Sequence, residues 1–440
     1  MLNFIIGRNN SGKTEKIRAL IAERAYENKK CILIVPEQFS FESERSILEK
    51  IGAQKMLNVD ILSFTRLAFV INEQYGKALN KTIDDGTRKV LMSLSLEALS
   101  GKLEYFKRFS SKPALLSNLL TFVTELKQCA VTPDEIAEIS GKTGNKSLGK
   151  KLSELSLIAA SYDALVSRSF FDDENLLTIA ADMISETDFF DGKAVYFDAF
   201  CGFTKQERNC IKSILPKAEN VFISLCTDRD LSREGVSVFE NVNSEFSHLK
   251  ECAAEQNVGV SSPEILNVKE DGRSPELVYL EKYLCGEESE PYKEECDNIV
   301  VCAAGNRADE ADFVACEIKK LLRCNPTLRC RNIAVIERTA GTYDKELSES
   351  FKKYGVPMFE DKRRPIGIQP VMVFVKCLLA LCAEGFSTES FMRLLKTGLT
   401  ALSGDEISEL ENYAFLWNID GSKWRRDFTE NPDGLGFDVT

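Results

Sequence analysis

Apolar residues in the first 76 positions fall into short unbroken runs, separated by longer stretches with helical spacing. Residues 2–6 (LNFII), 31–36 (CILIVP) and 59–64 (VDILSF) are the runs. Their lack of strict alternation predicts strands covered on both faces. Residues 13–26 place Ile17, Leu20, Ile21 and Ala25 on one helical face. Residues 36–50 (PEQFSFESERSILEK) predict a second helix with Phe41, Ile47 and Leu48 inward, and residues 65–76 a third. Strand–helix–strand spacing of this kind implies right-handed crossovers and a parallel sheet. From 83 to 184 the pattern is helical alone, with Leu115, Leu119, Phe122, Val123 and Leu126 recurring and Thr132 before Pro133 as a helix start. Strand runs return at 194–198 (AVYFD) and 221–226 (VFISLC), separated by a capping box from Thr204 to Glu207. Residues 251–297 are acidic and irregular. A second set follows: strands at 298–304 and 333–336, helices at 308–322 and 343–354, and helices again after Pro370.

The first strand run ends in G-x-x-x-x-G-K-T, from Gly7 to Thr14. Glycines after a strand let backbone amides wrap a phosphate, and the following helix turns its N-terminus toward the anion. The loop Gly7, Arg8, Asn9, Asn10, Ser11, Gly12, Lys13 and Thr14 is therefore a candidate ATP site. Lys13 is placed to reach the β/γ-phosphates and Thr14 to ligate Mg²⁺. Asn9 and Asn10 stand where small residues are common, and asparagine tolerates the left-handed backbone. Hydrolysis needs a metal-side aspartate at the end of a nearby strand and a group that orients water. Asp198 fits the first role, as a Mg²⁺ ligand with Thr14. Ala199, the next residue, has no carboxylate to orient water, so no catalytic residue is assigned.

Composition narrows the function classes. The 440 residues are 44% hydrophobic and 28% charged, ordinary for a globular protein of several domains. A net charge of −12 argues against a simple basic DNA-coating protein. The fourteen cysteines are scattered without a C-x-x-C pair and read as reduced thiols acting as small hydrophobes. The single histidine, His248, argues against a histidine-based triad and is expected on a helix surface. Neither a membrane-length apolar run nor an export signal is present, which leads to an expectation of cytoplasmic location.

The order of GRNNSGKT, VPEQFSFESE, ILSFTRLA, FDAFCGFTKQE, NRADEADFVACEIKKLL, NIAVIERT and YGVPMFEDKRRPI resembles the AddB family, B subunits of bacterial AddAB (RexAB-type) helicase–nucleases. The resemblance runs through nearly the whole chain. It implies an α/β fold of two RecA-like P-loop domains with parallel sheets, of UvrD-like helicase type with helical insertions. The implied boundaries are 1–75 with 190–250 for the first RecA-like domain, 76–189 for a helical insertion and 251–297 for an acidic linker. The second RecA-like domain is expected to begin at 298–360, and 361–440 to form a further, truncated helical insertion. The family processes DNA ends in double-strand break repair by homologous recombination, so the implied partners are an AddA-type helicase–nuclease subunit and DNA, single-stranded and at duplex ends. The implied cofactors are ATP and Mg²⁺. The family's nuclease and its iron–sulfur cysteines lie downstream, so no cluster is expected in these residues.

ILSFTRLA is similar to a helicase segment that contacts single-stranded DNA. Ser63 and Thr65 would bond phosphates, Phe64 stack on a base and Arg66 pair with phosphate. The run Lys362, Arg363 and Arg364 is a further candidate phosphate contact, and Arg338 has no assigned role. Four readings stay open. They are a DNA-gripping subunit with weak ATP turnover, an active ATP-driven motor, a scaffold with a vestigial loop, and a P-loop transferase acting on a small molecule. The second strand–helix set argues against the last.

Overall fold

The structure is a computed structural model, and it describes residues 1–76, 83–107, 112–169, 173–228, 238–267, 273–283, 290–360 and 366–428. Its chain divides into two compact units, 1–300 and 301–440.

The first unit opens with β1 (Leu2–Gly7), α1 (Lys13–Tyr26), β2 (Cys31–Ile34), α2 (Ser40–Met56), β3 (Val59–Leu62) and α3 (Phe64–Tyr75). Helices α4 (Asp85–Ala98), α5 (Pro113–Gln128), α6 (Pro133–Lys142), α7 (Lys146–Ser169) and α8 (Asp173–Glu186) follow. The chain then returns to β4 (Ala194–Phe197), α9 (Lys205–Ile214), β5 (Asn220–Cys226), α10 (Glu240–Glu255), β6 (Glu264–Ile265) and α11 (Pro275–Tyr283). The strands form one sheet in the order β3-β2-β4-β5-β1-β6, and every pairing is parallel.

Both faces of that sheet are covered, which is why its strands read as unbroken apolar runs. Leu2, Phe4, Ile6, Ile32, Ile34, Val195, Phe197, Val221, Ile223 and Leu225 face one core with α3, α8, α9 and α10. Ile5, Cys31, Leu33, Ala194 and Tyr196 face the other with α1 and α2. Burial pushes the Cys31 thiol up to about 12, as expected of a cysteine used as a small hydrophobe. Cys210 and Cys377 are buried in the same way, but Cys129, Cys201, Cys302 and Cys316 are exposed, and Cys285 lies outside the described residues.

Two helix readings change. The buried stripe of α2 is Ser43, Ile47 and Ile51, spaced four residues apart. Phe41 and Leu48, expected inward, lie off that stripe and are 78% and 41% exposed. Within the helical block, α4, α5 and α7 close on a core of their own around Met92, Leu119, Ile158 and Tyr162. In contrast, α8 packs Leu176, Ala180 and Ile184 onto the sheet.

In the second unit, α12 (Arg307–Cys324) and α13 (Asp344–Tyr354) pack through Ala315, Ile318, Phe351 and Val356. Helices α14 (Pro370–Glu384), α15 (Thr388–Leu395) and α16 (Gly404–Leu416) share a second core. The runs at 298–304 and 333–336, expected as strands, do not form them: neither joins a ladder among the described residues. A strand is stabilised by its neighbour, and no described segment supplies one.

A buried carboxylate pins the helical block. Glu154 on α7 accepts from the backbone amides of Glu104 and Tyr105 at 2.8 Å each and of Phe106 at 3.1 Å. Glu154→Ala leaves three amides without an acceptor and is expected to lower the unfolding free energy by about 2–3 kcal/mol, read by urea denaturation.

Candidate nucleotide-binding site

Parallel pairing brings the carboxyl ends of the strands to one edge of the sheet, where open α/β folds place their ligands. Gly7 at the end of β1 pairs in register with Cys226 at the end of β5. Asp198 follows β4 directly, and Ser63 follows β3.

The loop from Gly7 to Thr14 is built for close approach. A Cβ on Gly7 would lie 2.3 Å from Ser11 Oγ and 2.8 Å from the Leu266 carbonyl oxygen, so no side chain fits there. Asn10 takes φ +60° and Gly12 φ +87°, the left-handed steps that let a loop curl its amides inward. Gly12 caps α1, and Lys16 N–H donates to its carbonyl at 2.9 Å. Lys13 and Thr14 therefore sit in the first turn of α1. Ser11 Oγ is buried and has no hydrogen-bond partner among the described residues.

Lys13 Nζ donates to the carbonyls of Gly7 and Arg8, both at 2.7 Å. Burial depresses the Lys13 ammonium below the usual lysine range, and the nearby Cys226 thiol and Asp198 carboxylate oppose that shift. Asp198 is itself buried. Ser224 Oγ, on β5, donates to its Oδ1 at 2.5 Å, and Asp198 N–H donates to the Ile34 carbonyl at 3.1 Å. Ser224 went unseen in the sequence. The signal was a lone hydroxyl inside an apolar strand next to the one that ends in Asp198.

Arg8 belongs to the loop but turns its side chain elsewhere. Its Nη1 donates to the Glu281 carbonyl on α11 at 3.3 Å, and Nη2 lies 3.9 Å from Asp228 Oδ2. The guanidinium sits 5.4 Å from the centre of the Phe239 ring. Asn9 and Asn10 are exposed at the loop tip.

The donor set suits Mg²⁺. Thr14 brings a hydroxyl and Asp198 a carboxylate, both hard oxygen donors, and Mg²⁺ commonly takes one or two protein oxygens with phosphates and water. No group of three His, Cys, Asp or Glu side chains among the described residues forms a closed metal cage. Ala199, directly after Asp198, takes φ +64°. An L-residue there is strained, and this one carries no polar group.

The segment expected to touch DNA divides in two. Phe64 is 6% exposed. Its ring lies 5.8 Å from Phe197, 5.5 Å from Phe200 and 6.1 Å from Phe203. Ser63 Oγ accepts from Arg66 N–H at 3.2 Å as the N-cap of α3. These two residues are structural, which corrects their reading as a base platform and a phosphate contact. Packing in the aromatic cluster and helix capping already use the groups that DNA would need. Thr65 and Arg66 are exposed. His248 is exposed on α10 and accepts from Arg208 Nη1 at 3.1 Å. Arg338 is exposed in the second unit, and Lys362, Arg363 and Arg364 lie outside the described residues.

The family model described as "ADDB, N-terminal" matches residues 4–281, a span that carries all but the first two residues of the sheet, together with this loop. The chain belongs to that family. Among curated relatives, the B subunit of the ATP-dependent helicase/deoxyribonuclease of Clostridium novyi is 32% identical over 425 residues, covering 96% of this chain and 37% of its own length. The proteins of the same name from Acetivibrio thermocellus and Clostridium tetani are each 31% identical, over 96% of this chain and 37% and 38% of theirs. The chain thus spans little more than a third of the length of these relatives. No helix among the described residues is long and apolar enough to cross a membrane.

Backbone strain at the site is measurable. Ala199→Gly is expected to raise the unfolding free energy by about 1 kcal/mol. Gly7→Ala, which meets Ser11 and the Leu266 carbonyl, should lower it by more than that. Both are read by urea denaturation.

Proposed function

We propose that this chain is the helicase-like, nucleotide-binding part of the B subunit of an ATP-dependent helicase–deoxyribonuclease. In this reading it binds ATP with little turnover and grips DNA. The whole protein works on DNA ends in double-strand break repair by homologous recombination. Its partner is an AddA-type subunit in the cytoplasm. The names of its relatives support the assignment to a B subunit.

One pair of neighbours carries the reading on turnover: a buried, Ser224-held Asp198 followed by an apolar Ala199. The amides of the loop and the N-terminus of α1 receive the phosphates. Lys13 exchanges its two carbonyl partners for phosphate oxygens. Thr14 and Asp198 would hold Mg²⁺, which would supply neutralising charge to the phosphates. Ser224 fixes the Asp198 carboxylate. Nothing at position 199 accepts a proton or orients a water, so the site retains nucleotide rather than splitting it. Thr65 and Arg66, at the exposed start of α3, contact DNA phosphates.

The test is ATP binding and hydrolysis by the purified chain with Mg²⁺, with and without single-stranded DNA. Lys13→Ala is expected to weaken ATP binding about 10- to 100-fold, the worth of a charge-assisted bond to phosphate. Wild-type hydrolysis should match that of Lys13→Ala in both conditions. Turnover that rises with single-stranded DNA and disappears in Lys13→Ala would replace this reading with that of an active motor. A second outcome concerns DNA. Arg66→Ala should weaken binding of single-stranded DNA and flatten its dependence on salt, read by fluorescence anisotropy across a salt series.

A further inference from the structure

A cavity lies at the edge of the sheet opposite the nucleotide loop. Cys31 pairs in register with both Val59 and Ala194, so Lys30 and Lys193, the residues just before β2 and β4, meet at the amino edge. Together with Asp60 on β3, Tyr75 on α3, and Asp188 and Phe189 ahead of β4, they line a cavity of about 440 Å³. Lys193 is half-buried, and its Nζ lies 4.0 Å from the centre of the Phe189 ring. Asp188 is engaged, since the Tyr75 hydroxyl donates to its Oδ1 at 2.8 Å. The side chains of Lys30, Asp60 and Lys193 make no hydrogen bond or ion pair among the described residues, although opposite charges share the cavity. Burial depresses the Lys193 ammonium below the usual lysine range and Lys30 adds to that shift, against the pull of Asp60 and Asp188.

We propose that Lys193 is a modification site, acylated by a small acyl phosphate that enters this cavity. The groups around it divide the work. Lys193 is the nucleophile: an amine desolvated beside a second cation, with no carboxylate in ion-pair contact, is the reactive kind of lysine. Lys30, exposed and unpaired, holds the phosphate end of the donor. Asp60, also unpaired, takes the proton that the ammonium must lose and passes it to water. The neutral amine then attacks the carbonyl carbon. The N–C bond forms and the C–O bond to phosphorus-bound oxygen breaks. Phosphate leaves with that electron pair and the amine's second proton, as hydrogen phosphate. One ammonium becomes a neutral amide, so the amino edge of the sheet loses a positive charge, independently of what the nucleotide site does.

The test incubates the purified chain with acetyl phosphate near neutral pH and follows each lysine by mass spectrometry. Lys193 is expected to react at least about fivefold faster than Lys50, which is exposed on α2, because burial and a neighbouring cation raise its share of neutral amine. In guanidinium, where the cavity is gone, the two should react alike. Lys30→Ala removes an exposed side chain, so the melting temperature should not change. It should slow acylation of Lys193 at least about threefold and leave Lys50 as it was. Equal rates at Lys193 and Lys50 in the folded chain overturn the proposal. A fast Lys193 that persists in guanidinium also overturns it, and assigns the reactivity to local sequence. A Lys193 rate indifferent to Lys30→Ala overturns it as well, since the cavity then offers the donor no holding group.

Discussion

Everything at the candidate site depends on β1 being paired in parallel with β5. That pairing delivers Gly7, Cys226 and Asp198 to one edge of the sheet. It also sets α1 running away from the same edge, so its positive end faces the loop. An antiparallel β1 would point the loop to the opposite side, far from Asp198. The pairing is flanked by apolar side chains on both faces, so where the loop sits rests on burial.

Much of this was legible in the sequence because both signals are local. Unbroken apolar runs mark strands covered on two faces, and five of the six strands among the described residues lie where such runs stand. The helix start expected at Thr132 and the capping box expected at Thr204 are both present, and each cap bonds reciprocally, to Glu135 and to Glu207. The two-residue β6 was not legible, since only its neighbour β1 makes it a strand. The inward face of α2 was legible only in part, because Phe41 is apolar but off the stripe that meets the sheet.

At the candidate site, spacing pointed to the loop, Lys13 and Asp198, while tertiary packing decides where the remaining side chains go. Phe64 looked available because its neighbours in sequence are polar. Its partners Phe197, Phe200 and Phe203 are more than 130 positions away. Arg8 is inside the motif, yet α11 and Asp228 claim its side chain. The strands expected at 298–304 and 333–336 show the converse: the apolar runs are present, but among the described residues neither is paired.

The bonds of Lys13 to the Gly7 and Arg8 carbonyls have a consequence for selectivity. An arriving anion does not gain a free ammonium; it competes for one already solvated by the loop. The net gain is the difference between a phosphate oxygen and a carbonyl oxygen as acceptor, so it grows with the charge on the anion. Such a loop discriminates by exchange. Weakly charged anions would win little by displacing the carbonyls, whereas a polyphosphate, spread over the amides at once, would win more.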